Sequence, residues 1–182
     1  MEIVSTMGTG TLGRELDLRP LVDELVESAE TPLDANFTSE GMVTLYLGDD
    51  SPAYTLYRTG SFQIRGAETE ANLEEAESQL RMLLSNVGVE MPDYKFNHVT
   101  SVFVGTFKVN VNLEALTIAL GLENTECEPE QFPAVIYRPP EFTVTLLIFS
   151  TGKVIVGGTI DRDEARSALQ HVEDELAMLD EV

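Results

Sequence analysis

Positive charge is what this sequence has least of. Eleven Lys and Arg, with Lys95, Lys108 and Lys153 the only lysines, stand against 32 Asp and Glu in 182 residues, for a formal net charge of −21. Duplex-binding proteins draw on Lys and Arg to displace counterions from phosphates, so composition alone argues against nucleic acid. The chain has one Cys, Cys127, and no Trp. A single thiol makes no intramolecular disulfide, and neither Cys127 nor His98 and His171 have partners at zinc-finger spacing. No metal and no disulfide framework are expected. Nothing approaches the roughly 20 apolar residues of a membrane-spanning helix, and the Met1–Val4 start lacks the basic residues of a signal peptide. A cytoplasmic protein with no membrane partner is the expectation. No Gly-Lys-Ser/Thr follows a Gly-rich turn, and neither His has a recognisable Ser or Cys partner, so no catalytic residues and no cofactor are expected.

What is there begins with enough apolar residues, 43%, to build a packed core. The acidic surplus also fits a salt-rich cytoplasm, where hydrated carboxylates keep a protein soluble and charge is screened within about 3 Å at 1 M salt. There, local geometry outweighs net charge.

An internal repeat organises the chain. An offset of 95 pairs Val4 with Val99, Gly10 with Gly105, Leu18 with Leu113 and Leu25 with Leu120; an offset of 92 pairs Thr59-Gly60 with Thr151-Gly152, Gly66 with Gly158 and Leu84 with Leu176. The first copy therefore carries three extra residues between Leu25 and Thr59. Each half opens with a β-branched run (Ile3 to Met7; Val99 to Val104) and continues with a short helix, Leu18 to Val26 or Asn112 to Leu120, the latter with Asn112 as N-cap. Strands follow at Met42 to Leu47, Ala53 to Tyr57 and Ser61 to Arg65, answered by Ala134 to Arg138, Phe142 to Phe149 and Lys153 to Val156. Apolar residues three and four apart (Leu73, Ala76, Leu80, Leu84; Ala165, Leu169, Val172, Leu176) predict a long closing helix in each half, capped by Thr69 and by Asp161 with Glu164. This order predicts an α+β fold: an antiparallel sheet with its helices on one face and the other free to bind.

Gly8-Thr9-Gly10-Thr11-Leu12-Gly13 matches the G-x-G-x-x-G dinucleotide fingerprint, so a nucleotide-dependent enzyme using Gly8, Gly10 and Gly13 is a remote alternative. It requires a parallel β-α-β unit, and hairpins follow this helix instead.

The segments Glu128 to Arg138 and Leu147 to Gly158, with Asn97-His98-Val99-Thr100-Ser101 upstream, resemble the second repeat of the archaeal TATA-box-binding protein family, in a diverged, haloarchaeal-like form. That resemblance implies a saddle of two pseudo-symmetric repeats, 1–91 and 92–182, in a single domain. A curved ten-strand antiparallel sheet would carry four helices on its convex face and bind the DNA minor groove beneath. It implies that Phe132 and Phe149 wedge between base steps, Asn97 and Val99 read the groove, Leu147 lies on its floor, and Arg138 and Lys153 face phosphates. Glu128, Glu130 and Gln131 would recruit transcription factor B, and through it RNA polymerase. A homodimer in the absence of DNA is left open.

The first half departs from this pattern. Glu2 answers Asn97, Tyr57 answers Phe149, Ser61 answers Lys153 and Tyr46 answers Arg138, while either Phe37 or Glu40 answers Phe132. Gly157 replaces a groove-contacting threonine; its counterpart Arg65 is placed to insert into the groove. Two readings result: a promoter-recognition factor in which the second half dominates, or a regulator or scaffold that keeps the factor-B loop and binds DNA weakly or not at all. Phe132 and Phe149 carry a further alternative as buried core.

Overall fold

In a computed structural model describing residues 1–29 and 32–180, the repeat is a repeat of hydrogen bonds. The strands are β1 (Glu2–Thr11), β2 (Asp34–Ser39), β3 (Met42–Tyr46), β4 (Ala53–Tyr57), β5 (Ser61–Ala67), β6 (Lys95–Thr106), β7 (Thr125–Cys127), β8 (Ala134–Tyr137), β9 (Thr145–Phe149) and β10 (Lys153–Thr159). The helices are α1 (Leu18–Ser28), α2 (Glu70–Asn86), α3 (Leu113–Leu120) and α4 (Arg162–Asp180). The Leu12 N–H donates to the Gly60 carbonyl at 2.9 Å and the Leu16 N–H to Arg58 at 2.8 Å. Their counterparts are Phe107 to Gly152 at 2.8 Å and Val111 to Ser150 at 2.9 Å. Gly60 and Gly152 sit at φ +81 and +83, and a Cβ on either would overlap a facing backbone carbonyl. Both turns therefore exclude every other residue.

Contacts divide the chain into two units, Ser5–Val99 and Met1–Val4 with Thr100–Val182. In the first the strand order is β2-β3-β4-β5-β1; in the second it is β6-β10-β9-β8-β7. Every pairing within them is antiparallel. The α+β class expected from the sequence, ten antiparallel strands and four helices, is the one found. In each unit the core lies between the strands and both helices. The first core joins Leu21 and Leu25 of α1 and Leu73 and Leu80 of α2 to Val43, Leu45, Tyr54, Leu56, Phe62 and Ile64. The second joins Leu116 of α3 and Ala165, Ala168 and Val172 of α4 to Phe103, Val135, Tyr137, Leu146, Ile148, Val154 and Val156. Asp17 at the start of α1 makes no side-chain cap bond, and an isolated 11-residue helix is marginal, so burial of Leu18, Leu21, Val22 and Leu25 holds it. Each such side chain contributes about 2 kcal/mol.

The expected caps form. Thr69 Oγ1 accepts from the Asn72 N–H, Asn112 Oδ1 from Ala115, and Asp161 Oδ1 from Asp163 and Glu164. Glu164 does not reach back to complete a box. Its carboxylate accepts from the Thr143 N–H and hydroxyl, both at 2.8 Å, tying α4 to the β8–β9 connection. Bonds from Thr159 and then Thr143 hold that carboxyl below its ordinary range.

Several expectations are corrected. The Gly8–Gly10 segment is not a loop before a helix: β1 runs through it to Thr11, pairing antiparallel with β5. A Cβ at Gly8 would overlap the Phe96 ring, and one at Gly10 would overlap the Phe62 ring and the Lys95 carbonyl. Those two rings stack with centroids 5.9 Å apart, so the glycines exist to seat aromatics, and the dinucleotide alternative loses its structural basis. The strand expected from Phe142 begins only at Thr145, because Phe142 turns back through its N–H to Pro139 and packs against the second core. The three extra residues are a net figure. The repeat offset is 90 across β2 and β7, where Phe37 pairs with Val43 and Cys127 with Val135, and 92 from β3 onward. The β2–β3 turn is thus two residues shorter than the β7–β8 loop.

Candidate nucleic-acid interface

Strand alternation sends every second side chain away from the helices. In the second unit, register aligns Val104, Ile155, Leu147 and Ile136 across four strands, all half-buried and none in the core. At one end of this row stand Phe149 and Phe132, with ring centroids 6.0 Å apart and planes at 61°. Phe132 is 38% exposed and neither ring belongs to a core cluster. The buried-core alternative for the pair is therefore not what the geometry gives. Phe132 is held by the β7–β8 loop, where the Gln131 and Phe132 N–H groups both donate to the Glu128 carbonyl, at 2.9 and 2.8 Å. That turn leaves Glu128, Glu130 and Gln131 exposed.

Lys153 is exposed at the start of β10, opposite Thr106. Arg138 is exposed beyond β8, and its guanidinium is engaged: Nη1 lies 2.7 Å from Glu126 Oε1. Sequence reasoning missed this partner: register sets Glu126 opposite Ile136, and Arg138 lies two residues further on, a diagonal placement visible only once β7 and β8 are paired.

The corresponding row of the first unit has a different chemistry. Register aligns Thr9, Gln63, Thr55 and Thr44, the counterparts of Val104, Ile155, Leu147 and Ile136. Thr55 is 2% exposed, and its hydroxyl hydrogen-bonds the Thr44 hydroxyl at 3.1 Å. Tyr57, two residues beyond Thr55, is half-buried, and Arg65, two residues beyond Gln63 and paired with Ala53, is exposed, so the two lie on opposite sides of the row. The Phe37 or Glu40 question resolves on register. Ala134 pairs with Phe149 as Met42 pairs with Tyr57, so Glu40, two residues before Met42, answers Phe132. Glu40 is exposed; Phe37 packs against the first core with the Arg19 guanidinium 4.8 Å from its ring centroid.

The structure therefore divides the sequence-predicted residues into two groups. Phe132, Phe149, Leu147, Arg138 and Lys153 gather in the second unit with Glu128, Glu130 and Gln131, while Tyr57 and Arg65 share the first unit with Asn97 and Val99. Asn97 and Val99 are exposed on the side opposite Phe96, which packs into the first core. Glu2 and Val4, their repeat counterparts, fall in the second unit. The backbone irregularity at Thr6/Met7, and its counterpart between Val156 and Thr159, marks where the outward-facing positions change phase.

Fold and repeat together define a duplicated α+β module with a row of outward-facing residues across the strands of each unit. Along its whole length the chain resembles transcription factors: it is 35% identical to TATA-box-binding protein C of Halobacterium salinarum over 183 aligned residues, 98% of each chain. It belongs to the TATA-binding-protein family. It is 31% identical to the TATA-box-binding protein of Archaeoglobus fulgidus, over 98% of this chain and 96% of that one. The family model described as transcription factor TFIID, or TATA-binding protein, matches residues 95–179. The solved Methanococcus jannaschii TBP matches with a TM-score of 0.77 and 26% identity, covering 97% of this chain and 98% of that one. These relatives are transcription factors rather than enzymes. No helix among the described residues is long and apolar enough to cross a membrane.

Proposed function

We propose that this chain is a transcription initiation factor that binds and bends the minor groove of A/T-rich promoter DNA and recruits transcription factor B, and through it RNA polymerase. The observation that carries the reading is the Phe132–Phe149 pair, the first ring exposed and the second half-buried, beside an apolar row. An apolar strip flanked by rings suits a widened minor groove, where inserted side chains unstack base steps at a cost of a few kcal/mol each and gain contact area from the bend. Such a floor offers no partner to the guanine amine, the one feature separating G·C from A·T in that groove, so it favours A·T. Residues 1–182 act as one functional domain, with Lys153 and Arg138 toward phosphates and the Glu128–Gln131 turn toward factor B.

A second reading is favoured by Glu40 and Tyr57, which replace the wedge pair in the first repeat: a relative that captures factor B but hardly touches DNA. Anisotropy of a labelled TATA duplex in molar KCl, against a fully G·C duplex and with or without factor B, separates the two. Saturable A/T-selective binding supports the initiation factor. Factor-B capture by a folded protein that binds neither duplex sinks it and leaves the DNA-silent relative.

A further inference from the structure

The strand glycines other than Gly157 are each accounted for by the fold. A Cβ at Gly8 or Gly10 would overlap an aromatic ring, and one at Gly105 would lie 3.0 Å from Leu169 Cδ2. Gly66 and Gly158 sit at φ +87 and +99. Gly157 on β10 has neither reason: its φ is not positive, and its Cβ position has nothing within 4 Å. The bulge between Val156 and Thr159 is served by Gly158. A glycine inside a strand forgoes side-chain packing and backbone entropy, so the physical reason left for Gly157 is close approach by something outside the chain.

The neighbours indicate what approaches. Gly157 lies two residues beyond Ile155, on the face that carries Val104, Ile155, Leu147 and Ile136, and pairs across the ladder with Thr145 of β9. Both are half-buried. Alternation sends the Thr145 side chain, like those of Leu147 and Phe149, to that face, since Leu146 and Ile148 between them enter the core. The apolar floor of the second unit thus drops by a whole side chain at one point, with a hydroxyl at the edge of the gap. A G·C pair places the guanine N2 amine, a hydrogen-bond donor, in the minor groove. Over Ile155 or Leu147 that amine is desolvated without an acceptor; over Gly157 it has room, and the Thr145 hydroxyl oxygen can accept from it.

We propose, resting on the minor-groove reading above, that Gly157 and Thr145 are specificity-determining residues: they form a notch that admits one guanine amine into an otherwise A/T-selective floor.

The test titrates the full-length protein against a panel of TATA duplexes, each with one A·T pair replaced by G·C, and against the same panel with inosine for guanine, which removes only the amine. At positions over the apolar row, guanine should bind on the order of tenfold more weakly than inosine. At one position, or at a dyad-related pair where the protein docks both ways round, the two should agree within about twofold. Gly157→Val fills the gap and should open a guanine–inosine difference of about tenfold at that position alone. Thr145→Val removes the acceptor, keeps the shape and should do the same. Gly157→Ala, whose Cβ meets nothing, should open a smaller difference and keeps the test decisive should the valine variant fail to fold. Tolerance of guanine at no position or at every position overturns the notch. So does a tolerant position that folded Gly157 and Thr145 variants leave unchanged. In these cases A/T-selective binding, and with it the initiation-factor reading, stands; failure to bind any duplex overturns both.

Discussion

Replacing Glu126 with Gln should tighten DNA binding, and the size of the gain follows from one ion pair. Arg138 Nη1 sits 2.7 Å from Glu126 Oε1, with the two side chains 53% and 62% exposed. A pair that open to water contributes about 0–1 kcal/mol, because water and salt screen it and two long side chains lose freedom to hold it. To meet a phosphate, Arg138 must leave this carboxylate or share itself with it. Removing the carboxylate returns at most that contribution, so Glu126→Gln should lower Kd by up to about fivefold at the lowest salt where the chain stays folded. The gain should shrink toward nothing above 1 M KCl, where screening acts within about 3 Å. The plot of log affinity against log salt should steepen by up to about 0.9, one further phosphate contact. The assay is anisotropy of a TATA duplex across a KCl series, with circular dichroism confirming the fold at each point and Arg138→Ala alongside. Equal or weaker binding by Glu126→Gln, while Arg138→Ala loses affinity, would show that Arg138 reaches phosphate without leaving Glu126 and refute the competition. No loss in Arg138→Ala would remove Arg138 from the interface altogether.

Phe149→Ala should weaken DNA binding by about 10- to 100-fold while sparing factor-B capture, since one unstacking wedge is lost, and Glu130→Ala should do the reverse; filter binding and a factor-B pull-down measure the two arms. Gly10→Ala should destabilise by about 1–3 kcal/mol, because the new Cβ overlaps the Phe62 ring and the Lys95 carbonyl, and lower Tm by roughly 3–10 °C in a calorimetric scan. Gly157→Ala, with nothing within 4 Å of its Cβ position, serves as control and should leave Tm unchanged. Tyr54 is buried, and burial followed by the charge of Glu75 pushes its hydroxyl up to about 12 from 10. A raised value means the neutral form is favoured in the fold, so the stability it contributes is complete below pH 10 and is lost as pH rises through about 12. Tyr54→Phe should flatten denaturation midpoints over that alkaline window, and an unchanged slope would remove Tyr54 as its source.

Where chain position alone set the geometry, the sequence was a good guide. The offsets of 95 and 92 predicted which glycines turn which hairpins, because a positive-φ turn tolerates little else, and Gly60 and Gly152 carry the same facing carbonyls. Apolar spacing located α2 and α4, whose buried residues are those expected at Leu73, Ala76, Leu80 and Leu84 and at Ala165, Val172 and Leu176. The G-x-G-x-x-G match, set aside in the sequence because hairpins follow the helix, has a physical reason of its own: glycine is demanded by a phosphate loop and equally by a ring lying flat on a strand, here Phe62 and Phe96. The short strands β2 and β7 were not delimited from local pattern. Three residues of β7 hold too little alternation to detect, and the change of offset from 90 to 92 is visible only in pairing register. The same holds for the site. Phe132, Phe149 and Leu147 were legible by resemblance, whereas the matching rows of Val104 and Ile155, or Thr9 and Gln63, depend on which residues face one another across strands.

The boundary suggested by the repeat is not the boundary of the cores. Ile3 packs against the second core, while Tyr94 and Phe96 pack against the first, where both stack on Phe62. A gene cut between codons 91 and 92 would thus remove the aromatic lid of the first product and an aliphatic plug of the second, leaving each half with a hole that its own residues cannot fill. Separately produced halves should be poorly soluble and should recover structure on mixing, and two copies fused without this exchange of end residues would not rebuild the fold. Each half of the repeat thus carries the end residues that complete the other half's core.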